Sequence, residues 1–268
     1  MENVIDYYSR FDEWGRLDRE PLEFIINWHY IKQYLPPHGN VLDNGAGPGK
    51  YSMELARHGF NVTLSDLTPG LVEMAKVKAD ELGLTKHFKG FHVLNAANLD
   101  ELPNEEFDAS LMLGPLYHLQ REEDRINAVT ELFRVTKKGG IIFVAFQSRM
   151  RMTITSLQYP QHWKPNDTMD SINEFRATGI FNHADKGRFT GAYYFNINDI
   201  KPFMESHGFE TVDLIGSSSI GGLISNEQRQ FWEEKGESQK LMNLLIELAK
   251  DPSVLGISTH LLYIGRRK

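Results

Sequence analysis

From residue 41 to 146, short apolar runs alternate with longer stretches whose apolar residues recur every three or four positions. That alternation predicts a parallel sheet wrapped by helices. Val41–Leu42, Val62–Leu64, Phe91–Leu94, Phe107–Leu113 and Ile141–Phe146 are the strand candidates. The stretch "TPGLVEMAKVKADELG" reads as a helix with Thr68 as N-cap, Pro69 in the first turn and Gly83 as its stop. In "REEDRINAVTELFRVTKKGG", Ile126, Val129, Leu132 and Phe133 share one face, acids open the helix, and lysines followed by Gly139 close it. A further helix runs from Tyr51 to His58, stopped by Gly59.

After Phe146 the rhythm breaks. Residues 148–195 show no clean helical pattern, yet the part from Tyr159 to Phe195 holds eight aromatic residues. A flexible linker would be poor in them, so this segment is expected to fold down as a lid or pocket wall. The alternation then resumes with a helix near Asp199–His207 capped by Asn198, a strand near Glu210–Ile215, a helix around Gln239–Lys250 and a strand near Ser258–Ile264. The first 40 residues read as helical. The expected division is therefore a cap over 1–40, an α/β core over 41–147 and 196–268, and a lid insertion over 148–195.

Composition narrows the chemistry. The chain of 268 residues is 41% hydrophobic and 24% charged, an ordinary globular balance. Its net charge of −7, from 29 basic and 36 acidic side chains, argues against a nucleic-acid partner. There is no cysteine, which excludes disulfides, thiolate nucleophiles and cysteine-ligated metals. The histidines show no paired spacing of a metal site, so no metal is expected. The charged N-terminus is no signal peptide, and the longest apolar run, "IIFVAF", is too short for a bilayer. A soluble, cytoplasmic protein without a membrane partner is the expectation.

The stretch "VLDNGAGPGKYS" (41–52) carries the most specific chemistry. Gly45, Gly47 and Gly49 follow a short buried strand and open a helix, where glycines permit a tight turn and a close approach to a ligand. Asp66 ends the next strand, placed to accept both ribose hydroxyls of a nucleoside. The dinucleotide fingerprint needs glycine where Lys50 stands, and the phosphate-loop spacing is absent. Asp43 would repel a pyrophosphate but suits a ligand with a cationic amino group.

This stretch resembles the first motif of the class I S-adenosylmethionine-dependent methyltransferases, of the small-molecule type. "VTLSDLTPGLVEMAK" resembles the second motif, and "VLNAANLDELPNEEFDASLMLGPLYHL" the third and fourth. "AVTELFRVTKKGGIIFVAF" and "YYFNINDIKPFMESHGFETVDLIG" resemble the later elements. Asn44, Asn95 and Lys138 depart from the family's usual residues. The resemblance implies a Rossmann-like, doubly wound, mostly parallel seven-stranded sheet of order 3-2-1-4-5-7-6 whose last strand is antiparallel. It implies S-adenosyl-L-methionine as cofactor and S-adenosyl-L-homocysteine as product. By the same resemblance Gly45, Ala46, Gly47 and Gly49 line the methionine and ribose portion. Asp43 orients the loop or the methionine amino group, and Asp66 holds the ribose with Leu67 beside the adenine. Asn95, Ala96 and Ala97 border the adenine edge, and Leu113 and Gly114 sit near the methyl group.

The expected reaction is methyl transfer to an oxygen, nitrogen or carbon atom of a small organic acceptor by in-line displacement. Orientation supplies much of the rate. His118 is the candidate base, needed only if the acceptor atom carries a proton. Tyr117 either positions the acceptor or faces the sulfonium as a cation–π partner. Tyr7, Tyr8, Phe11 and Trp14 either close over the cofactor or bury a helix face. Trp163, Phe181, His183 and Tyr193 are pocket-wall candidates. The Pro-Pro tetrad of nucleic-acid amino-methyltransferases is missing from "LGPLYHL", which leaves a small acceptor as the best fit. The alternatives are a non-catalytic protein that binds the same cofactor and an NAD-dependent oxidoreductase.

Overall fold

A computed structural model describes residues 14–15, 21–185 and 189–268. Its centre is a seven-stranded sheet built from β1 (Asn40–Asn44), β2 (Asn61–Asp66), β3 (Phe88–Val93), β4 (Phe107–Met112), β5 (Thr136–Gln147), β8 (Phe209–Gly216) and β9 (His260–Arg267). The order is β3-β2-β1-β4-β5-β9-β8. β9, the last strand, runs antiparallel to both neighbours, while the remaining pairs are parallel. This is the expected order.

The strands are apolar on both sides because both faces of the sheet are covered. In β5, Ile141 and Phe143 enter the layer beneath helices α1 (Pro21–Tyr34) and α2 (Lys50–Arg57), while Ile142, Val144 and Phe146 enter the opposite layer. That second layer lies under α4 (Glu122–Val135) and α7 (Ile197–Ser206). α3 (Pro69–Glu81) packs Val72, Ala75 and Ala79 on Leu64 of β2. Burying each such large side chain contributes about 1.5–3 kcal/mol.

Thr68 caps α3 and Pro69 opens it, as expected, and Gly83 follows its end at φ 66°. α4 stops earlier than the lysine–glycine signal suggested, at Val135. Thr136 already pairs with Phe107 of β4, and its hydroxyl donates to Leu132 O at 2.7 Å. The register shift between Phe107 and Ala109 absorbs "KKGG" as a bulge within β5 rather than a helix end. α7 is capped by Asn196, not Asn198: the Asn196 side chain accepts from Asn198 N at 3.1 Å.

Residues 148–195 contain two helices that the sequence pattern did not show. α5 (Arg149–Gln158) is capped by Ser148, which accepts from Arg151 N at 3.2 Å, and α6 (Met169–Thr178) by Thr168, which accepts from Ser171 N at 3.2 Å. The run Arg-Met-Arg-Met-Thr-Ile-Thr at the start of α5 alternates with a period of two and masks the helical period. A two-stranded ribbon, β6 (Ile180–Phe181) with β7 (Ala192–Tyr193), completes the segment. Met152, Phe175, Phe181, Ala192 and Tyr194 form its own apolar cluster. Two further helices, α8 (Asn226–Glu234) and α9 (Ser238–Leu248), precede the short α10 (Pro252–Leu255) and β9. Tyr7, Tyr8 and Phe11 lie outside the described residues. None of the described helices is long and apolar enough to cross a membrane.

Candidate active site

A cavity of about 1140 Å³, its open mouth included, lies at the carboxyl ends of the strands, where β1 and β4 diverge toward opposite edges. This is the switch point at which open α/β sheets bind ligands. Asp43, Gly45, Ala46, Gly47, Asp66, Leu67, Asn95, Ala96, Leu113, Gly114, Tyr117 and His118 all line it. Two residues expected there do not. Gly49 caps α2 with its backbone turned toward Leu64, and Ala97 packs on the apolar layer below α4 and donates its N–H to Asn95 Oδ1 at 3.0 Å.

The glycines serve the protein's own packing more than was expected. A Cβ built on Gly45, at φ 73°, would stand 2.0 Å from Cγ of Pro115, and one on Gly49, at φ 84°, would stand 2.9 Å from Cδ1 of Leu64. The loop after β1 thus locks against the turn after β4. Its amides are also engaged internally. Gly45 N and Ala46 N donate to Ser65 O at 2.8 and 3.0 Å, Gly47 N donates to Asp66 Oδ2 at 2.8 Å, and Gly49 N donates to Ala46 O at 3.0 Å. Pro48 has no N–H. A phosphate cradle needs these amides aimed at the ligand, so the loop is not one.

Two buried carboxylates flank the loop instead. Asp43 is 2% exposed, and its Oδ2 accepts from the Ser52 hydroxyl at 2.7 Å. Burial pushes its pKa up to about 6, opposed by the Ser52 hydrogen bond, with Asp66 adding to the rise. Burial also raises Asp66, against the bonds it accepts from Thr68 N at 2.8 Å and from Gly47 N. Those bonds occupy one site on each Asp66 oxygen. The Thr68 side chain and the Leu67 N–H also favour its ionised form, and Asp66 faces the cavity as part of its wall. Asn44, also in the wall, accepts from the Ser65 hydroxyl at 3.1 Å, while its buried Nδ2 has no hydrogen-bond partner.

The other end of the cavity is aromatic and polar. Tyr117 donates to Leu113 O at 3.4 Å, and its ring lies 5.0 Å from His118 and 5.6 Å from His260. Burial, with His260 nearby, lowers the His118 pKa to about 4. His118 is therefore neutral near pH 7, and its basicity is far below what a general base at that pH needs. Phe189 reaches His118 at 5.2 Å and carries the contact between segment 148–195 and the cavity wall. Trp163, Phe181, His183 and Tyr193 do not line the cavity. Phe181 is buried in the segment's own cluster, with Trp163 packed against it, and Tyr193 is stacked on Arg125. Trp14 lies under the ammonium groups of Lys50 and Lys78, at 5.0 and 5.4 Å, and Lys50 lines the cavity.

Glu23, Lys50, Thr68 and Pro115 line the cavity without having been singled out as site residues. Glu23 sits in the first turn of α1 and meets Nδ1 of His260 at 3.0 Å. Its only sequence signal is an acid inside the apolar stretch "PLEFIINW". Its partner stands at the other end of the chain.

Residues 42–144 match the protein family described as "Methyltransferase domain". Over 158 residues the chain is 29% identical to the glycine/sarcosine N-methyltransferase of Parasynechococcus marenigrum, across 57% of this chain and 52% of that one. It is 27% identical over 179 residues to the malonyl-acyl-carrier-protein O-methyltransferase of Salmonella typhimurium, across 67% and 64%. The chain spans about half the length of the curated relatives it matches. The crystal structure of a SAM-dependent methyltransferase from Methanosarcina mazei superposes with a TM-score of 0.59 at 20% identity, covering 89% of this chain and 96% of that one. At that identity the likeness is one of fold. The family match runs from β1 into β5, the half of the sheet whose carboxyl ends shape the cavity.

Proposed function

We propose that the chain transfers the methyl group of S-adenosylmethionine to a small organic acceptor. One observation carries this reading: the glycine loop spends its amides inside the protein and borders the cavity with two buried carboxylates. Such a wall recognises a nucleoside that bears positive charge and no phosphate. A nicotinamide dinucleotide would need loop amides free for its pyrophosphate and no carboxylate beside it.

When bound, the cofactor supplies an electrophilic methyl group on a sulfonium. This chain's residues bind and orient. Asp66 holds the ribose hydroxyls, and Leu67 and Asn95 border the base. Asp43, ionised above about pH 6, favours the cationic amino end. Leu113, Gly114 and Tyr117 shape the space where the acceptor meets the methyl group. His118, being neutral, accepts or donates a hydrogen bond there and takes no proton near pH 7.

Segment 148–195 is the lid of this site, with Phe189 as its contact to His118. Among the described residues before β1, helix α1 covers the core, and residues 41–147 and 196–268 form that core. We carry over the expectation of a cytoplasmic protein without a nucleic-acid or membrane partner.

Calorimetric titration with S-adenosylhomocysteine, with NADH as control, tests the reading. Binding of the homocysteine product at low micromolar concentration and silence with NADH are expected. Preference for NADH, or no binding of the product, overturns it.

A further inference from the structure

Helix α8 (Asn226–Glu234) buries none of its nine residues, and α9 beside it fully buries only Leu245. A helix this short is marginal in water and ordinarily takes its stability from an apolar face packed on a neighbour. Here local devices hold it. Ser225 Oγ accepts from Gln228 N at 3.2 Å while Gln228 Oε1 accepts from Ser225 N at 2.9 Å, a reciprocal capping box. Arg229 Nη2 donates to Gly221 O at 2.7 Å and ties the helix to the turn before it.

The large apolar side chains of α8 face outward. Phe231 is 52% and Trp232 42% exposed, and among the described residues they are the only exposed phenylalanine and tryptophan. Their rings meet edge to face at 5.3 Å. Single exposed apolar residues are ordinary, but adjoining aromatic rings are what interface cores bury.

The charges beside the rings say what covers them. Glu227, Phe231 and Lys235 follow at four-residue intervals and share one stripe of the helix. Lys235, the C-cap, keeps a right-handed helical backbone and holds its ammonium 5.6 Å from the centroid of the Phe231 ring. Among the described residues neither Glu227 nor Lys235 makes an ion pair, whereas Lys240 on the next helix pairs with Glu237 at 2.9 Å. The stripe is therefore acidic at one end, basic at the other and aromatic midway between them.

A two-fold axis through Phe231 lays a second α8 antiparallel on the first. It sets Glu227 of each copy against Lys235 of the other, and Phe231 against its own counterpart. An isologous contact requires this self-complementarity, and helices packed at about 8–10 Å bring such side chains together. A partner of single charge would satisfy one end of the stripe and repel the other.

We propose that the stripe Glu227–Phe231–Lys235 is the contact of a symmetric homodimer, its partner being a second copy of this chain. The inference stands apart from the methyl-transfer reading, since none of these residues lines the cavity. One short helix per copy offers less than the roughly 800 Å² a side of a standard interface, so a reversible dimer in the micromolar range is expected.

Sedimentation equilibrium of the full chain across the micromolar range tests it. The parent should pass from monomer to dimer, and Phe231→Glu should raise the dissociation constant at least tenfold. Glu227→Lys and Lys235→Glu should each weaken the dimer tenfold or more, because each sets like charges opposite one another. An equimolar mixture of these two variants places two lysines on one copy against two glutamates on the other, and should dimerise at least as tightly as the parent. All three positions are exposed, so circular dichroism of the variants should match that of the parent. A parent that stays monomeric throughout the range overturns the proposal and leaves the stripe to a partner of another kind. A parent dimer that Phe231→Glu and both charge exchanges leave unchanged overturns it too. So does a mixture that stays monomeric while each folded variant has lost the dimer, because the antiparallel pairing would then be wrong.

Discussion

The guanidinium of Arg125 lies 3.6 Å from the centroid of the Tyr193 ring and joins the core to the segment over the cavity. From the first half of α4, its Nη1 donates to Leu119 O at 2.9 Å and to Gln120 O at 2.7 Å, the carbonyls just after the Tyr117–His118 turn. Gln120 in turn donates to Ala192 O at 3.2 Å and Asn182 Oδ1 at 3.0 Å. The guanidinium of Arg149 lies 5.7 Å from the centroid of the same Tyr193 ring, and its Nε donates to Tyr194 O at 2.9 Å.

Arg125→Lys keeps the charge and loses the planar fork and the stacking. Losing one or two hydrogen bonds from a charged group should cost about 1.5–3 kcal/mol. A lower melting temperature and a fall in kcat are expected, with S-adenosylhomocysteine affinity nearly unchanged, because the damage falls on the acceptor end. Differential scanning calorimetry and product titration measure both.

Gly45→Ala should be poorly tolerated without touching any ligand. It forces a Cβ into the Pro115 ring at a positive φ, combining a left-handed strain of about 1–2 kcal/mol with an overpacking term of about 1–3 kcal/mol. The double change Gly45→Ala with Pro115→Gly removes the obstructing ring and should recover part of the loss. Chemical denaturation of the single and double variants reads the coupling; strict additivity would mean that the contact is unimportant.

Asp66→Asn leaves a carbonyl oxygen for one backbone amide and removes the charge. If the ribose hydroxyls bind where proposed, losing a charge-assisted bond of about 1.5–3 kcal/mol weakens S-adenosylhomocysteine roughly 10- to 100-fold. An affinity within threefold of the parent would move the ribose elsewhere.

Asp43 makes both stability and binding depend on pH. Its folded pKa of about 6 lies above the ordinary 3.8, because burial opposes the charged form. Its favourable contribution is therefore fully present below about pH 4 and is lost as pH rises through about 6. The difference is on the order of 3 kcal/mol. Subtracting the pH profile of Asp43→Asn from that of the parent isolates this loss from oppositely shifted groups such as Asp108 and Glu131. Binding of the cationic cofactor has the opposite sign. It requires the ionised carboxylate, so affinity should rise from pH 5 to pH 7 in the parent and stay flat in Asp43→Asn.

His118, with its pKa near 4, leaves no limb near pH 6.5 in the rate profile. His118→Gln should change the rate without moving the pH at which activity rises. A shifted limb would return His118 to the role of base.

The periodicity and punctuation of the chain by itself determined the strands from Val41 to Phe146, the helix opened by Thr68 and Pro69, and, through the family resemblance, the sheet order. It also placed Asp43, Asp66, Tyr117 and His118 on one cavity, because strand ends and the turns after them are local features of sequence. Only the tertiary structure decided what these residues do next to one another. Gly45 answers to Pro115, and Gly49 to Leu64, contacts between elements that no local pattern encodes. The depressed pKa of His118 comes from burial and from His260, which lies on the last strand. Glu23 reaches the site because α1 folds over β9, a pairing of the two ends of the chain. The helices of residues 149–178 escaped notice because their caps, Ser148 and Thr168, precede segments whose apolar residues face a small separate cluster rather than the sheet. Local propensity is written residue by residue. Burial, and the electrostatics that follow from it, exists only once distant segments meet.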